Sequence, residues 1–455
     1  MKKKLVSCKN NEEKTKSFIV QYAKTGEPIS VSFRELLPHI NKSDRFTHQI
    51  HTYPAKLLAQ IPYFFCNNSY FSSEGDIILD PFCGSGTVLL EANLAGRNAI
   101  GADANPLARL IASVKTQKLN EKKLLEFLRF IVDNLKYYNK HERPQGINVD
   151  FWFSPNVQEQ LAKLKGTIEI LPEGAYKNFF KVCFSNCIKK VSYADPRIAV
   201  PVKLNPKRYP EKSKRFDQVQ KRLQDLESDD ILEKFSLISL ENINRIKSLD
   251  FIQKNIKTRL ISSDARHLTT HVGSNSLLLN ESVDMVLTSP PYAGAQKYVR
   301  SSSLSLGWLG FLNEKHSIRS YDSKNIGREN YNNLDIQSFI TGIEEADILI
   351  EEISKINRLR AFIVANYLRE MKDAIKESAR VLKKNGFFIM IIGNNVVCKR
   401  EFNTQDFLCQ FVESLGFTVE FKLIDDIKSY GLMTKRNKTA NVISREWILV
   451  FRKKR

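Results

Sequence analysis

The sequence has no long apolar run. Its purest one, residues 387–392, is far too short to span a lipid bilayer, which needs about 20 apolar residues. Residues 1–13 carry three lysines but no apolar stretch behind them, so no signal peptide is visible. We therefore expect a cytoplasmic protein with no membrane partner.

The sequence is also poor in cysteine and lacks the usual metal-binding spacings. Its seven cysteines form no CxxC pair, and their number is odd. This pattern is typical of reduced thiols packed as small hydrophobic side chains in a cytosolic protein. His48 and His51 lie three residues apart, but no cysteine or acidic residue joins them at a zinc-like spacing. We predict no metal site.

Acidic residues are also few relative to basic residues. The 455 residues include 70 lysines and arginines but only 50 aspartates and glutamates, which gives a formal net charge of +20. Such a surface favours polyanions, with nucleic acid as the first candidate, although a merely soluble basic protein has the same composition. Hydrophobic residues make up 42% of the chain, enough for a sizeable core. The length fits about three domains, or one domain that carries large insertions.

Seven short apolar segments bounded by turn residues predict buried strands. They are residues 77–82, 99–104, 259–264, 285–289, 387–393, 418–423 and 446–451. Helical patterns at 87–94, 107–116 and 368–382 fall between strands. This alternation predicts an α/β fold with a doubly wound, mostly parallel seven-stranded sheet that binds ligands at the carboxyl ends of its strands. Only a loop separates the last two strands, so we predict that they close the sheet as an antiparallel pair.

The interval between the second and third predicted strands is far too long for one crossover. We predict that residues 118–258 form an inserted, mainly helical subdomain. The rest divides into an N-terminal extension, 1–45, and a ligand-binding domain, 46–117 and 259–455. Within the insertion, residues 203–222 hold eight basic and only two acidic side chains. A second, smaller insertion runs from about residue 293 to about residue 361.

A glycine-rich turn directly follows the first predicted strand. Residues 80–87 read Asp-Pro-Phe-Cys-Gly-Ser-Gly-Thr, so the backbone can approach a ligand while a helix N-terminus offers free N–H groups. The lysine of a nucleoside-triphosphate loop and the third glycine of a dinucleotide fingerprint are both missing. Asp103, at the end of the next strand, is placed to accept both hydroxyls of a ribose. The pair predicts an adenosine-type cofactor without a pyrophosphate.

A Ser-Pro-Pro-Tyr sequence, residues 289–292, ends the fourth predicted strand. Two prolines fix two φ angles at about −65° and prevent the strand from continuing. This exit presents a hydroxyl, a proline carbonyl and an aromatic face, which suits a planar ring bearing an exocyclic amine. Ser289 Oγ and the Pro290 carbonyl would accept the N–H groups, and Tyr292 would stack on the ring. A Pro-Pro turn without a function is the alternative.

Together, these motifs resemble the amino-group DNA methyltransferases that use S-adenosylmethionine, over all but about the first thirty residues and the large insertion. Gly-x-Asp-x-Asn-Pro at 101–106 and the segment from His51 to Lys56 also resemble that family. The resemblance implies a Rossmann-like class I methyltransferase fold and the cofactor S-adenosyl-L-methionine. The cofactor-binding residues that it implies are Tyr53, Pro54, Asp80, Phe82, Gly84, Gly86, Thr87, Asp103, Asn105, Asp264 and Ala265. The catalytic residues that it implies are Ser289, Pro290, Pro291 and Tyr292.

The resemblance further implies site-specific methylation of double-stranded DNA, with the target nucleotide turned out of the duplex. In that family a serine at the position of Ser289 is mostly associated with cytosine N4, so we expect N4-methylcytosine, while adenine N6 stays open. We expect the modification enzyme of a restriction–modification or similar defence pair, with a cognate restriction endonuclease as partner.

The large insertion is the candidate for target recognition. Lys207, Arg208, Lys214 and Arg215 are the predicted phosphate contacts, although such a charge run is equally typical of a solvated face. Two other functions remain as alternatives. They are an RNA guanine-N2 methyltransferase and a non-catalytic nucleic-acid-binding protein on a decayed methyltransferase fold.

Overall fold

The computed structural model describes residues 2–40, 45–54, 56–138, 142–293, 298–331, 338–427 and 445–454. Its strands are β1 (Ile29–Ser30), β2 (Ile77–Asp80), β3 (Asn98–Ala102), β4 (Thr258–Ser262), β5 (Val283–Thr288), β6 (Leu382–Ile392), β7 (Asn395–Val397), β8 (Arg400–Phe402), β9 (Phe417–Asp426) and β10 (Arg445–Lys453). The helices before β4 are α1 (Lys2–Thr25), α2 (Phe33–Leu36), α3 (Gln60–Cys66), α4 (Thr87–Leu94), α5 (Pro106–Lys115), α6 (Glu121–Asn134), α7 (Val149–Trp152), α8 (Pro155–Glu169), α9 (Ala175–Lys190), α10 (Lys214–Glu227) and α11 (Ile231–Lys247). The later helices are α12 (Tyr298–Ser301), α13 (Ser303–Trp308), α14 (Ile318–Asp322), α15 (Glu344–Ile356), α16 (Arg358–Val381) and α17 (Thr404–Ser414).

One large sheet has the strand order β1-β9-β10-β6-β5-β2-β3-β4, and β7 pairs with β8 in a separate hairpin. Within the large sheet, β10 runs antiparallel to both β6 and β9, and the other neighbouring strands are parallel. The predicted doubly wound, mostly parallel fold is therefore confirmed, and each of the seven predicted strands is present. The seven-stranded prediction misses an eighth strand, β1, which pairs Ile29 with Leu423. Two residues are too few for an alternating pattern to stand out in a sequence.

The segment assigned to an N-terminal extension packs on this same sheet. Its helix α1 lies against β9, and β1 forms the edge strand beside β9. Among the described residues, no helix is both long and apolar enough to cross a membrane.

The strand order reverses direction between β2 and β5. From β2 the chain builds outward through β3 to β4, and it then returns to place β5 on the other side of β2. The two central strands are parallel, with Ile78 opposite Met285 and Leu79 opposite Val286. In an open α/β sheet such a reversal leaves a crevice at the carboxyl ends of the two strands. The glycine-rich turn follows β2 and the Ser-Pro-Pro-Tyr segment follows β5, so the fold brings both motifs to one crevice.

Two apolar clusters cover the two faces of the sheet, because successive side chains of a strand point to opposite faces. Ile78 and Met285 pack on one side with Phe64 of α3, and the neighbouring residues Leu79 and Val286 pack on the other side with helix α16. Each of these strand residues is fully buried. The central strands are therefore held by burial on both faces, as expected for parallel strands.

Residues 118–258 contain helices α6 to α11. Helices α6 to α9 and α11 share one apolar cluster with α5 and α13, in which Ile111, Phe184 and Trp308 are buried together. The helical segment therefore packs directly against elements that flank the crevice. Its exact boundaries as a domain remain a prediction.

Gly86 sets how closely the start of α4 approaches α5. Its φ is 80°, and a Cβ atom added there would lie 2.9 Å from Cβ of Ala112. Gly84 also has a positive φ, 48°, but an added Cβ would meet only Tyr53 Cε1, at 4.0 Å. The two glycines thus share the backbone requirement, but only Gly86 lacks the space for a side chain.

We expect Gly86→Ala to lower the free energy of unfolding by about 3 kcal/mol, from left-handed strain plus overpacking. Gly84→Ala carries the strain alone and should cost about 1 kcal/mol. Urea unfolding of both variants beside the unmodified protein measures the difference. Equal losses in the two variants would contradict the packing argument.

Candidate functional site

A cleft lies at the carboxyl ends of the central strands. About 660 Å³ of space that is continuous with the solvent lies between its walls. The residues that line it are Tyr53, Pro81, Phe82, Gly84, Asp103, Ala104, Asp264, Ala265, Ser289, Pro291, Lys324, Asn325 and Ile326. They come from the ends of four neighbouring strands, β5, β2, β3 and β4, and from two loops.

The cleft brings together eight of the fifteen predicted cofactor-binding and catalytic residues. These eight are Tyr53, Phe82, Gly84, Asp103, Asp264, Ala265, Ser289 and Pro291. The other seven lie in the same segments but outside this lining, and they are Pro54, Asp80, Gly86, Thr87, Asn105, Pro290 and Tyr292. The described contacts of several of these seven indicate that they support the residues that line the cleft.

Asp80 lies beneath the cleft and joins its two central motifs. The side chain is 3% exposed, and its Oδ1 accepts hydrogen bonds from the hydroxyl of Thr288 at 2.6 Å and from the N–H of Phe82 at 3.1 Å. Burial raises the pKa of Asp80 to about 7. Asp80 therefore connects the end of β2 to the end of β5, directly before Ser289.

Asp103 faces the cleft with its carboxylate fixed from behind. Its Oδ2 accepts from the N–H of Gly84 at 2.9 Å, and its Oδ1 accepts from the N–H of Asn105 at 2.8 Å. Burial raises the pKa of this carboxyl group. A carboxylate oxygen can accept more than one hydrogen bond, so both oxygens can still bind donors from the cleft side.

Asn105 holds Tyr53 and begins helix α5. Its Oδ1 caps the helix by accepting from the N–H of Leu107 at 3.0 Å. Its amide nitrogen donates to the Tyr53 hydroxyl at 3.2 Å and to Ser302 Oγ at 3.1 Å. These three bonds make Asn105 a positioning residue for Tyr53. Its predicted contact with a cofactor stays a prediction.

The helical insertion fixes the segment that carries Tyr53. Asn186 of α9 accepts from the N–H of Thr52 at 3.2 Å and donates to the carbonyl of Ile50 at 2.7 Å. Asn242 of α11 donates to the same carbonyl at 3.0 Å. Two buried amides from the insertion thus set the position of one wall of the cleft.

Asp264 lines the cleft while its carboxylate forms a forked ion pair with Arg266. The Arg266 guanidinium donates to Oδ1 at 2.9 Å and to Oδ2 at 2.8 Å, and this pairing raises the pKa of Arg266. Arg266 also donates to Oε1 of Glu370 at 3.0 Å. A ligand group that binds Asp264 would share the carboxylate with Arg266, a partner that sequence analysis did not anticipate.

The Ser-Pro-Pro-Tyr segment turns along the cleft. Ser289 and Pro291 line it, and Pro290 is buried between them. The Tyr292 hydroxyl donates to Oε1 of Glu446 at 2.9 Å, and burial raises the pKa of that carboxyl group. The Tyr292 ring is therefore held in place by β10.

The turn at residues 324–326 completes the cleft and was not predicted. It follows α14 and contributes Lys324, Asn325 and Ile326 to the lining. Gly327, with a φ of 81°, approaches so closely that a Cβ atom there would lie 2.8 Å from the Tyr292 carbonyl oxygen. These residues belong to the second insertion and form no motif. In the sequence, only Gly327, followed by Arg328, gives a weak signal for a turn here.

The four predicted DNA contacts lie at the start of α10 and in a short 3₁₀ turn, Pro206–Arg208. Arg215 lies 3.7 Å from Asp195, donates to Gln218 at 3.0 Å and stacks over Tyr209. Part of its charge is therefore engaged within the insertion. The role of the four residues on DNA remains a prediction.

The two histidines considered as metal ligands have separate partners. His48 Nε2 lies 2.7 Å from Glu91 Oε1, and His51 Nε2 lies 2.9 Å from Ser185 Oγ. Within the described ranges, no group of three or more histidine, cysteine, aspartate or glutamate residues could hold a metal ion.

Comparison with known proteins points to one family. A family model described as "DNA methylase" matches residues 2–113 and 283–455. The chain is similar to the Type II methyltransferase M.MvaI of Kocuria varians, with 24% identity over 371 residues that cover 77% of each protein. It is similar to M.BsoBI of Geobacillus stearothermophilus, with 23% identity over 442 residues that cover 84% of this chain and 79% of the relative. M.AvaI of Nostoc sp. is 24% identical over 399 residues, 78% of this chain and 76% of the relative. Both of these relatives are also Type II methyltransferases.

The raised pKa of Asp80 predicts a specific pH dependence of stability. An unfolded aspartate titrates near about 3.9, so between about pH 4 and about pH 7 the folded protein binds the proton more tightly, and this contribution to stability is lost as the pH rises. Asp80→Asn keeps the size and an acceptor for Thr288 but cannot titrate. When the pH rises from 5 to 7, the unmodified protein should lose about 2 kcal/mol of unfolding free energy relative to Asp80→Asn.

Urea unfolding of both proteins at pH 5, 6 and 7 measures this change. The difference between the two proteins isolates Asp80 from the other groups that titrate in this range. Two parallel pH profiles would contradict the raised pKa.

Proposed function

Because this chain belongs to the DNA methylase family and is a DNA methyltransferase, we propose that it transfers a methyl group from S-adenosyl-L-methionine to the exocyclic N4 amine of a cytosine turned out of the DNA duplex. The observation that carries the proposal is the single cleft lined by Asp103, Asp264 and Ser289. It joins an acid suited to a ribose, an acid suited to an amine, and a hydroxyl acceptor at the strand exit.

The residues present fit S-adenosyl-L-methionine. Gly84 leaves open space beside Tyr53, where a side chain would narrow the cleft. Asp103 has both carboxylate oxygens fixed by backbone N–H groups, so it can accept two ribose hydroxyls without reorganising. Phe82 and Ala265 give apolar walls for a planar ring. When bound, the cofactor supplies an electrophilic methyl group on a sulfonium.

The chain contributes hydrogen-bond acceptors for the target amine and holds the reacting groups in line. The lone pair of the cytosine amine is delocalised into the ring, so the amine attacks poorly. Ser289 Oγ and the Pro290 carbonyl would accept its two N–H groups and favour a more tetrahedral nitrogen. Tyr292, held at its hydroxyl by Glu446, would stack on the ring. Alignment of this kind can supply several kcal/mol of a barrier.

The target nucleotide must leave the helix to reach these groups. Turning it out costs a few kcal/mol of unstacking, which contacts to the DNA backbone must offset. The formal charge of +20 supports strong attraction to DNA. Lys207, Arg208, Lys214 and Arg215 are proposed as phosphate contacts in the insertion.

The choice of base is proposed from Ser289, since cytosine N4 is the base mostly associated with serine at this position in the family that the chain resembles. Adenine N6 is the second candidate. The three relatives compared with this chain are Type II methyltransferases, which supports a role as the modification enzyme of a restriction–modification pair. A cognate endonuclease that cleaves the same unmethylated sequence is the expected partner.

Ser289→Ala should abolish DNA methylation, because it removes an acceptor at the reacting amine. Nucleoside mass spectrometry on DNA from cells that express each protein measures both the loss and the base. We expect N4-methylcytosine with the unmodified protein and none with Ser289→Ala. Asp103→Ala should abolish methylation as well.

A matched control is Ser282→Ala, just before the amino end of β5, where the hydroxyl donates to the carbonyl of Leu279 at 2.7 Å. It should leave methylation unchanged. If the DNA contains N6-methyladenine instead, the assigned site would stand but cytosine would be the wrong base. Full methylation in Ser289→Ala would remove the assigned catalytic residue, and soluble unmodified protein that leaves no mark on DNA would overturn the proposed function.

Neutralising Lys207, Arg208, Lys214 and Arg215 to glutamine should weaken binding to every DNA sequence. Each lost phosphate contact should reduce the slope of log affinity against log salt by about 0.9. Fluorescence anisotropy with a mixed-sequence duplex at several salt concentrations measures this slope.

A second variant that retains Arg215 keeps its pairing with Asp195 and separates charge from folding. If the slope of log affinity against log salt is unchanged in both variants, these basic residues only form a solvated surface.

A further inference from the structure

A second concavity, which we call the arginine groove, lies beside the cleft. It is lined by Arg319, Asp322, Ser323, Arg328, Asn330, Tyr331, Ser338, Phe362, Asn366 and Arg369. None of these residues belongs to a motif that sequence analysis identified. Three arginines and one aspartate give the lining a net positive charge.

The groove and the cleft share one wall. The turn after α14 contributes Lys324 to Ile326 to the cleft, and its flanking residues Ser323 and Arg328 to the groove. Gly327 at the centre of this turn abuts the carbonyl of Tyr292. A polymer that places one unit in the cleft would therefore pass directly into the groove with its neighbouring units.

Arg369 provides a cation whose described hydrogen-bond partners are all neutral. It donates to the carbonyls of Ser338 at 3.0 Å and Ile340 at 3.1 Å, and to Asn366 Oδ1 at 3.4 Å. These contacts use three of the five N–H groups that a guanidinium carries. They fix the side chain while leaving its positive charge without a carboxylate among the described residues.

Arg328 is held differently, by the charge network that reaches the cleft. It donates to Glu370 Oε1 at 2.6 Å, the same oxygen that accepts from Arg266. Arg266 in turn pairs with Asp264 in the lining of the cleft. The charge of Arg328 is therefore balanced within this network. The formal charges that remain in the lining are those of Arg319, Arg369 and Asp322, two positive and one negative.

Aromatic rings support the guanidinium groups. Arg328 lies 4.7 Å from the ring centre of Tyr331, and Arg369 lies 5.7 Å from that of Phe362. The two rings meet edge to face at 5.0 Å, and Asn366 donates to the Tyr331 hydroxyl at 2.7 Å. Such cation–π contacts support the two guanidinium groups, and a guanidinium can bind phosphate through its planar, forked donors.

We propose that the arginine groove binds the phosphodiester backbone of the target DNA strand next to the nucleotide that enters the cleft. This inference rests on the proposed function, since it takes DNA as the polymer whose base occupies the cleft. Arg319 and Arg369 neutralise the phosphates, and the shared turn sets the distance between the bound backbone and Ser289. The groove thereby adds a contact surface within the second insertion, separate from the basic stretch of α10.

Arg319→Ala and Arg369→Gln combined should weaken binding of a mixed-sequence DNA duplex at least tenfold at about 0.1 M salt and reduce the salt slope by about 1.8. Affinity for S-adenosyl-L-methionine, measured by calorimetry without DNA, should be unchanged. Methylation of plasmid DNA should fall at low DNA concentration and recover at high concentration. A merely structural role would not produce this recovery.

Two further variants complete the test. Arg319→Lys with Arg369→Lys keeps the charges and should retain most of the salt slope. Lys16→Ala with Lys24→Ala removes two exposed charges from α1, which packs on β9, and should change neither slope nor methylation.

Methylation by the unmodified protein is measured first, so that a failure of the proposed function is recognised separately. If that protein methylates DNA while the arginine variants keep its affinity and salt slope, the groove proposal is overturned alone. Loss of cofactor affinity together with DNA affinity would also overturn it, because the variants would then have damaged the cleft.

Discussion

The hydrogen bond between Thr288 and Asp80 is the contact on which the cleft depends. It spans 2.6 Å between residues 208 positions apart in the chain, and it joins the last residues of β2 and β5. The bond can form because the strand order reverses between these two strands, so that their carboxyl ends lie side by side. Each strand then delivers its motif within one residue of the bond, with Pro81 on one side and Ser289 on the other. Buried between two apolar layers, this pair also carries an acid whose pKa is shifted toward neutrality.

The outer walls of the cleft depend on segments that are remote in sequence. Asn186 and Asn242 of the insertion fix the backbone beside Tyr53. On the other wall, Glu370 of α16 receives both Arg266 and Arg328, and so connects the Asp264 side to the turn that touches Tyr292. The second oxygen of Glu370 has no hydrogen-bond partner among the described residues. A buried carboxylate in this state is destabilised unless both arginines stay in place, which makes the geometry of the two walls interdependent.

The sheet could be predicted from sequence because each central strand is an apolar run followed by a turn, and helix α4 begins and ends at the predicted residues 87 and 94. The motif-bearing residues of the cleft were accessible for the same reason, since glycines and prolines at strand ends are local signals. Long-range partners had no such signal. The pairing of Asp264 with Arg266 and Glu370, the anchoring of Tyr292 on Glu446, and the turn at residues 324–326 follow from tertiary packing alone. Strand β1 was missed because its two residues are too few to show an alternating apolar pattern.

Charge is divided between the cleft and its surroundings. The lining of the cleft includes two carboxylates, Asp103 and Asp264, and one lysine, Lys324, whereas the adjoining groove carries three arginines and one aspartate. Carboxylates attract hydroxyl and amine donors and a sulfonium, while guanidinium groups attract phosphates. A nucleotide that enters from DNA would therefore present its base to the acidic side and its backbone to the basic side. The wall between them is a single turn, so under the proposed function one short segment would govern how far a base can travel from its own phosphate before it reaches Ser289.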